Sequence, residues 1–329
     1  MSNETARDAA DNRRILAGLR VLEVGRNVCV PYAGYLLAAL GATVAKLVQD
    51  DDPATLCRTD EDSIYDRLNG RKQFVGAAQV AGLAVDVVIA DSRDIADVPA
   101  SDGLVSVLRV TPLDGPPVAD SALLSALSAA TWSMGEPGRA PVSMPAQTAA
   151  FIAGVVFAGA TLAKVLGNEV GRQELSGLNA LNAFVDQNST SYLHSKIGWR
   201  REGRRAAGSA GIYPYGIFDC SDGEVALIGR SRGDWTKIAH SFGASDVRER
   251  YPDPFDIARH RADEVDAALQ PYIDTLTKAE VMAAAEQEGV LAVPVSTLDD
   301  VLAFDNLHTE RFFWDASGTF PGLPFLVNT

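Results

Sequence analysis

Few side chains in this sequence stand where their type and spacing would do chemistry. The three cysteines, Cys29, Cys57 and Cys220, lie far apart, so no Cys-X-X-Cys redox or metal motif forms. The four histidines, His194, His240, His260 and His308, show no spacing that would make a metal set or a nucleophile–base pair. Glycine-rich phosphate loops, nucleophile elbows and zinc-helix motifs are absent from the sequence. No metal site is expected. What remains is a short set of single groups: Asp120, Cys29, Tyr213 and Arg26. A carboxylate, a thiol and a phenol can each act as nucleophile or acid–base group, and an arginine can hold an anion. Each also has a plainer reading: helix N-cap for Asp120, core packing for Cys29, strand packing for Tyr213, an exposed loop charge for Arg26.

The elements that must position these groups read as an α/β protein. Arg20 to Val24 is a short β-branched run between Gly18 and Gly25, hence a strand. Pro31 to Leu40 has helical spacing and ends at Gly41, and Thr43 to Val48 is a second strand. Strand, helix, strand is a βαβ unit, which implies a parallel sheet with right-handed crossovers. Cys29 and Arg26 follow the first strand, at the edge where open α/β sheets bind ligands. Further buried strands are expected at Ala84 to Ala90 and Leu104 to Val110. Helices are expected over Asp120 to Met134, Ala149 to Leu166 and Glu174 to Ile197.

After Gly208 the texture changes. Ile212 to Asp219 and Glu224 to Arg230 read as a hairpin turning at Cys220-Ser-Asp-Gly223. Helices follow at Trp235 to Phe242, Asp256 to Tyr272 and Lys278 to Glu288, then a Pro-containing edge strand at Val293 to Ser296. The expected fold is an open, mostly parallel large domain with a smaller α+β domain. Residues 1–15 form a terminus expected to fray, 16–200 the first part of the large domain, 201–296 a linker and the small domain, and 297–329 a return to the large domain.

The 329 residues are enough for a sizeable core, and 47% apolar with 22% charged residues fits a globular chain. The formal charge of −14 repels phosphate backbones, which argues against nucleic-acid binding. Met1 to Arg14 lacks the apolar run of a signal peptide, and the uncharged stretch Ala140 to Ala163 holds Pro141 and Pro145. That stretch reads as a loop and a buried helix, not a membrane span. Three scattered cysteines suit a reducing compartment, so a cytoplasmic protein is expected.

The ordered motifs resemble the class III CoA-transferases, the family of formyl-CoA transferase, carnitine CoA-transferases and α-methylacyl-CoA racemases. The resemblance runs through Leu16-Ala-Gly-Leu-Arg-Val-Leu-Glu-Val24, Pro31 to Lys46, Asn69-Gly-Arg-Lys72, Asp120 to Pro137 with its Met134-Gly-Glu-Pro137 end, Gly208 to Gly223, Val293 to Phe313 and Pro321-Gly-Leu-Pro-Phe325. It implies two chains threaded as interlocked rings. It implies that a CoA ester, bound loosely as ligand or substrate and not as a tight cofactor, meets Arg26, Val28, Cys29, Lys46, Asn69, Arg71 and Lys72. Of these, Lys46, Arg71 and Lys72 would carry phosphate contacts, the plainer reading being solvated surface charge.

Family chemistry runs through an aspartate that attacks the acyl-CoA thioester. The matching position here is Ala150, with Gly154 four residues on, and no Asp, Glu, Cys or Ser occurs between Pro145 and Ala163. The racemase histidine position is Ala119, and a further racemase acid aligns with Arg232. The loop that helps hold the adenine end of CoA is replaced by Ala90-Asp-Ser-Arg93, and a family helix between Lys72 and Asp86 is trimmed. Three readings follow. The first is a non-catalytic subunit beside an Asp-bearing paralogue. The second is a repurposed enzyme acting on an acyl-CoA or related acid in the same crevice. The third is a non-catalytic binding or scaffold homodimer.

Overall fold

The computed structural model describes residues 15–49, 64–98, 102–112, 120–185, 192–193, 196, 201–205 and 211–304. Within them, 15–132 and 142–185 form one compact unit, and 133–141 with the residues from 192 onward form a second.

The first unit opens with β1 (Arg20–Val24), α1 (Cys29–Ala39) and β2 (Thr43–Leu47). Gly41, at φ 100°, makes the reversal from helix to strand that a side chain would strain. Then come α2 (Ile64–Asn69), β3 (Gln73–Val75), α3 (Ala77–Val80), β4 (Val87–Asp91) and β5 (Leu104–Arg109). The unit continues with α4 (Asp120–Leu127), α5 (Ala130–Ser133), α6 (Thr148–Leu166), β6 (Gly171–Ser176) and α7 (Gly177–Val185). The six strands form one parallel sheet in the order β3-β2-β1-β4-β5-β6. Strand alternation divides the core. Val21, Val87 and Ile89 pack with α1 and α6, whereas Leu22, Val24 and Val88 pack with Val75 and Val80 on the other face.

Two elements of the first unit differ from the sequence reading. The helix expected from Glu174 begins only at Gly177, because 171–176 is the sheet's edge strand β6. Its residues, Gly-Arg-Gln-Glu-Leu-Ser, are mostly polar, as suits a strand with no neighbour on one side among the described residues, so no apolar period marks it. A Cβ on Gly177 would lie 2.6 Å from the Val110 carbonyl oxygen, which fixes glycine at the strand-to-helix turn. The helix expected over Asp120 to Met134 breaks at Ala129, whose φ is 64°. Side-chain hydroxyls compete with the helix there: Ser125 and Thr131 lie 2.6 Å apart and Ser128 donates to the Ser125 carbonyl. The remainder of the expected 174–197 helix, beyond Val185, lies almost wholly outside the described residues.

By length and composition α6 is apolar enough to cross a membrane. Its inner face, with Ala149, Ala150, Ala153, Gly154 and Phe157, is buried in the first unit. Gly154 permits the crossing with α1, since a Cβ there would approach the Cys29 carbonyl oxygen to 2.6 Å.

The second unit carries an antiparallel sheet of β7 (Tyr215–Cys220), β8 (Gly223–Ile228) and β9 (Leu291–Pro294) in that order. Its helices are α8 (Arg232–Ser241), α9 (Ser245–Arg250), α10 (Pro254–Asp256) running through a π-helical turn at 257–261 into α11 (Ala262–Leu269), α12 (Lys278–Glu288) and α13 (Leu298–Leu302). The edge strand starts two residues earlier than the sequence suggests and ends on Pro294, whose missing N–H is harmless at an edge. Of the basic run at 200–205, Arg204 pairs with Asp219 and Glu224, and Arg205 with Asp263 and Asp266. Arg204 and Arg205 thereby staple the second unit to itself through partly exposed pairs.

Candidate ligand site at the switch point of the sheet

From β1 the chain builds outward through β2 and β3, then returns to place β4 on the other side of β1. The loops leaving β1 and β4 therefore diverge, and open α/β sheets hold ligands in the crevice between such loops. Arg26, Asn27, Val28 and Cys29 come from the first loop and the start of α1. Asp91 ends β4, Arg93 and Asp94 come from the loop that follows it, and Asp120 opens α4 after β5.

Arg93 is the hub. Its Nη2 lies 2.6 Å from Asp91 Oδ2 and 2.6 Å from Asp120 Oδ2, and its Nη1 donates to Asp120 Oδ1 at 3.2 Å. Asp91 also accepts from the Arg93 backbone N–H at 2.9 Å and from Asn27 Nδ2. Asn27 Oδ1 in turn accepts from Val30 N–H at 2.9 Å, which fixes the first turn of α1. Arg26 clasps Asp94, with Nε to Oδ1 at 2.8 Å and Nη2 to Oδ1 at 2.5 Å. The three aspartates are buried, while the two guanidinium groups stay partly exposed.

Beneath this layer lies a buried ion triplet. Glu23 Oε1 is 3.0 Å from Lys46 Nζ, and Glu23 Oε2 is 2.6 Å from Lys72 Nζ. Lys46 also donates to the Gly25 carbonyl at 3.1 Å, and Lys72 to the Pro31 carbonyl and Asn69 Oδ1, both at 2.8 Å. Those two carbonyls bracket the loop that carries Arg26, Asn27 and Val28, so the triplet pins both ends of it. Gly34 makes room, because a Cβ there would sit 1.9 Å from Glu23 Oε2.

Burial raises the Asp120 carboxyl from 3.8 to about 6, with Arg93 opposing the rise and Asp91 adding to it. Burial also pushes the Cys29 thiol well up, helped by Asp120 and Asp91. Arg93 is raised above its ordinary value by its carboxylate partners, against the cost of burial. Cys29 is thus a neutral, fully buried thiol, the opposite of an activated one.

A family model for CoA-transferase family III matches residues 112–322. The chain belongs to CoA-transferase family III. A CaiB/BaiF family protein from Brucella suis superposes with a TM-score of 0.72 at 19% identity, covering 95% of this chain and 92% of that one. The orthorhombic form of Rv3272 from Mycobacterium tuberculosis gives 0.74 at 20% identity, covering 96% and 92%. At these identities the likeness establishes the fold. Among curated proteins none matches.

Within this CoA-transferase family fold, the residues singled out from the sequence fall into separate places. Arg26, Val28, Cys29 and Asp120 gather at the switch point. Asp120 is held by Arg93 and does not serve merely as a helix cap. Lys46 and Lys72 are not solvated surface charges: both ammonium groups turn inward onto Glu23. Asn69 is buried as an acceptor for Lys72, and Arg71 is exposed. Tyr213 lies in the core of the second unit, edge-on to Trp235 at 5.1 Å between ring centroids. Burial and Asp266 raise its phenol well above the usual range. Arg232 opens α8 in that unit and pairs with Asp253 at 2.8 Å. Ala119, the glycine loop from Gly208, Phe313 and the closing Pro-Phe motif lie outside the described residues.

Glu23, Asp91, Arg93 and Asp94 were not weighed as site residues from the sequence. Glu23 and Lys46 carried a signal. They are charged residues within two successive buried strands, each one residue short of the strand's end, and they are register partners in the sheet. A parallel strand covered on both faces cannot hold a lone charge, so each implied the other.

Proposed function

We propose that this chain is a non-catalytic subunit of a class III CoA-transferase of acyl-CoA metabolism, paired with a paralogue that supplies the nucleophilic aspartate. The observation that carries the reading is Ala150. It occupies the position that the family resemblance gives to the nucleophile, and it is fully buried in the first unit's apolar core. The helix around it, 148–166, carries no carboxylate at all. A methyl group cannot attack a thioester, however well a substrate is placed. Asp120, which opens the family's 120–137 segment, is already engaged by Arg93.

An interlocked assembly suits this division of labour, because two chains can keep a shared core while one site does the chemistry. The outward side of α6, with Val155 and Leu166 exposed, supports such an assembly. The cytoplasmic placement agrees with free thiols at Cys29 and Cys220. The test is chemical: the purified homomeric chain, incubated with a panel of acyl-CoA esters and trapped with hydroxylamine or borohydride, gives no adduct near Ala150 and no transfer. Robust transfer by the homomeric chain contradicts the reading.

A second reading has its own observation. A carboxyl at about 6 exchanges protons near neutral pH, so Asp120 suits acid–base work on an acyl-CoA or related acid in the same crevice. Turnover that survives without a partner and is abolished in Asp120→Asn would favour it.

A further inference from the structure

We propose that Asp91 and Asp94 are charge-selecting residues: they occupy Arg93 and Arg26 from within, so that this crevice takes an uncharged or singly charged acyl compound in preference to the polyphosphate of a CoA ester. The inference rests on the partner-subunit reading and adds to it that the switch-point crevice is itself a ligand site, with the CoA polyphosphate held on the other subunit.

A diphosphate is recognised by the forked donor edge of an arginine. Here that edge is spent. Arg26 turns Nε and Nη2 onto Asp94, and Arg93 spends Nε, Nη1 and Nη2 on Asp91 and Asp120. The two lysines of the layer beneath are spent on Glu23. An incoming polyanion must therefore displace buried carboxylates or share an arginine with them. The side chains of Asp91, Asp94 and Asp120 are only 1–2% exposed, so salt screens their repulsion poorly. An uncharged acyl-pantetheine arm meets no such opposition, and a single carboxylate meets much less.

Calorimetric titration of the full chain with CoA, pantetheine and inorganic pyrophosphate, at matched ionic strength, reads the preference directly. The wild-type chain binds pantetheine at least as tightly as CoA. Asp91→Asn with Asp94→Asn keeps the shape and one acceptor oxygen of each side chain while removing two charges. It gains roughly tenfold in affinity for CoA and pyrophosphate per carboxylate removed, with pantetheine unchanged. Should the double variant not fold, Asp94→Asn alone, at the more exposed arginine, shows the single tenfold gain. Wild-type binding of CoA ten times tighter than pantetheine overturns the proposal, as does a folded variant that gains nothing. Assembly with a paralogue is read by mass and not by these titrations, so failure of the partner reading shows up separately.

Discussion

Glu23→Gln tests the frame on which the crevice is built. The change keeps the size of the side chain and one carbonyl oxygen, but removes the charge that two ammonium groups contact at 2.6 and 3.0 Å. The side chains of Lys46 and Lys72 are 1% and 0% exposed, so water does not reach them in compensation. Removing one partner from a buried ion pair costs about 3–5 kcal/mol, because the remaining charge stays buried. The carbonyls of Gly25 and Pro31 still accept from the lysines, and this holds the cost within that range although two cations lose their anion. A single protein domain has about 5–15 kcal/mol in total, so much of the first unit's margin goes. For a unit of this size the midpoint falls by about 6–20 °C. Thermal and urea unfolding give the number, and amide exchange of the Gly25–Pro31 loop accelerates in parallel. A triple change to Glu23→Leu, Lys46→Met and Lys72→Met recovers most of the loss, since apolar replacement of a whole buried ion set is often neutral. A Glu23→Gln protein within about 1 kcal/mol of wild type would refute the reasoning, because that is the cost expected of an ordinary exposed pair.

Three further outcomes are expected. Gly34→Ala places a methyl 1.9 Å from Glu23 Oε2 and breaks the triplet, so its urea midpoint falls with that of Glu23→Gln and the two losses do not add. Ala150→Asp puts a carboxylate among buried apolar neighbours, lowers stability by about 3 kcal/mol or more in calorimetry, and yields no trapped acyl adduct. Asp120 has a folded value raised above 3.8, so its favourable contribution is complete below about pH 4 and is lost as pH rises through about 6. Asp120→Asn therefore gains on wild type by ~1–2 kcal/mol between pH 4 and pH 7, after allowing for solvent at Arg93. A difference that stays flat across that range contradicts the burial argument.

The βαβ opening was legible because Arg20 to Val24 is a short β-branched run between Gly18 and Gly25, and Gly41 ends the helix that follows. The edge strand at 171–176 was not legible: Arg172 and Glu174 are exposed, Gln173 turns in to Ser106, and the polar stretch from Glu174 on reads as the start of a helix. Order in the sheet, and hence the switch point, came from long-range pairing of Leu22 with Val88 that no local pattern encodes. The motif order drew attention to Arg26, Cys29 and Asp120, and these do converge in the first unit. It assigned Lys46 and Lys72 to an outside ligand, although their place at the buried centre of the fold gives them Glu23 instead. Asp91 and Asp94 went unweighed because a carboxylate in a loop looks like solvated charge until its arginine is known. The departure at Ala150 was visible only through the family resemblance, since an alanine in a helix carries no signal of its own.

The most direct measurement is native mass spectrometry of the protein isolated from its source cell. The account predicts a heteromeric assembly of this chain with a longer class III paralogue bearing the nucleophilic aspartate, and transferase activity that tracks that assembly. A homodimer that turns over acyl-CoA esters unaided would contradict it.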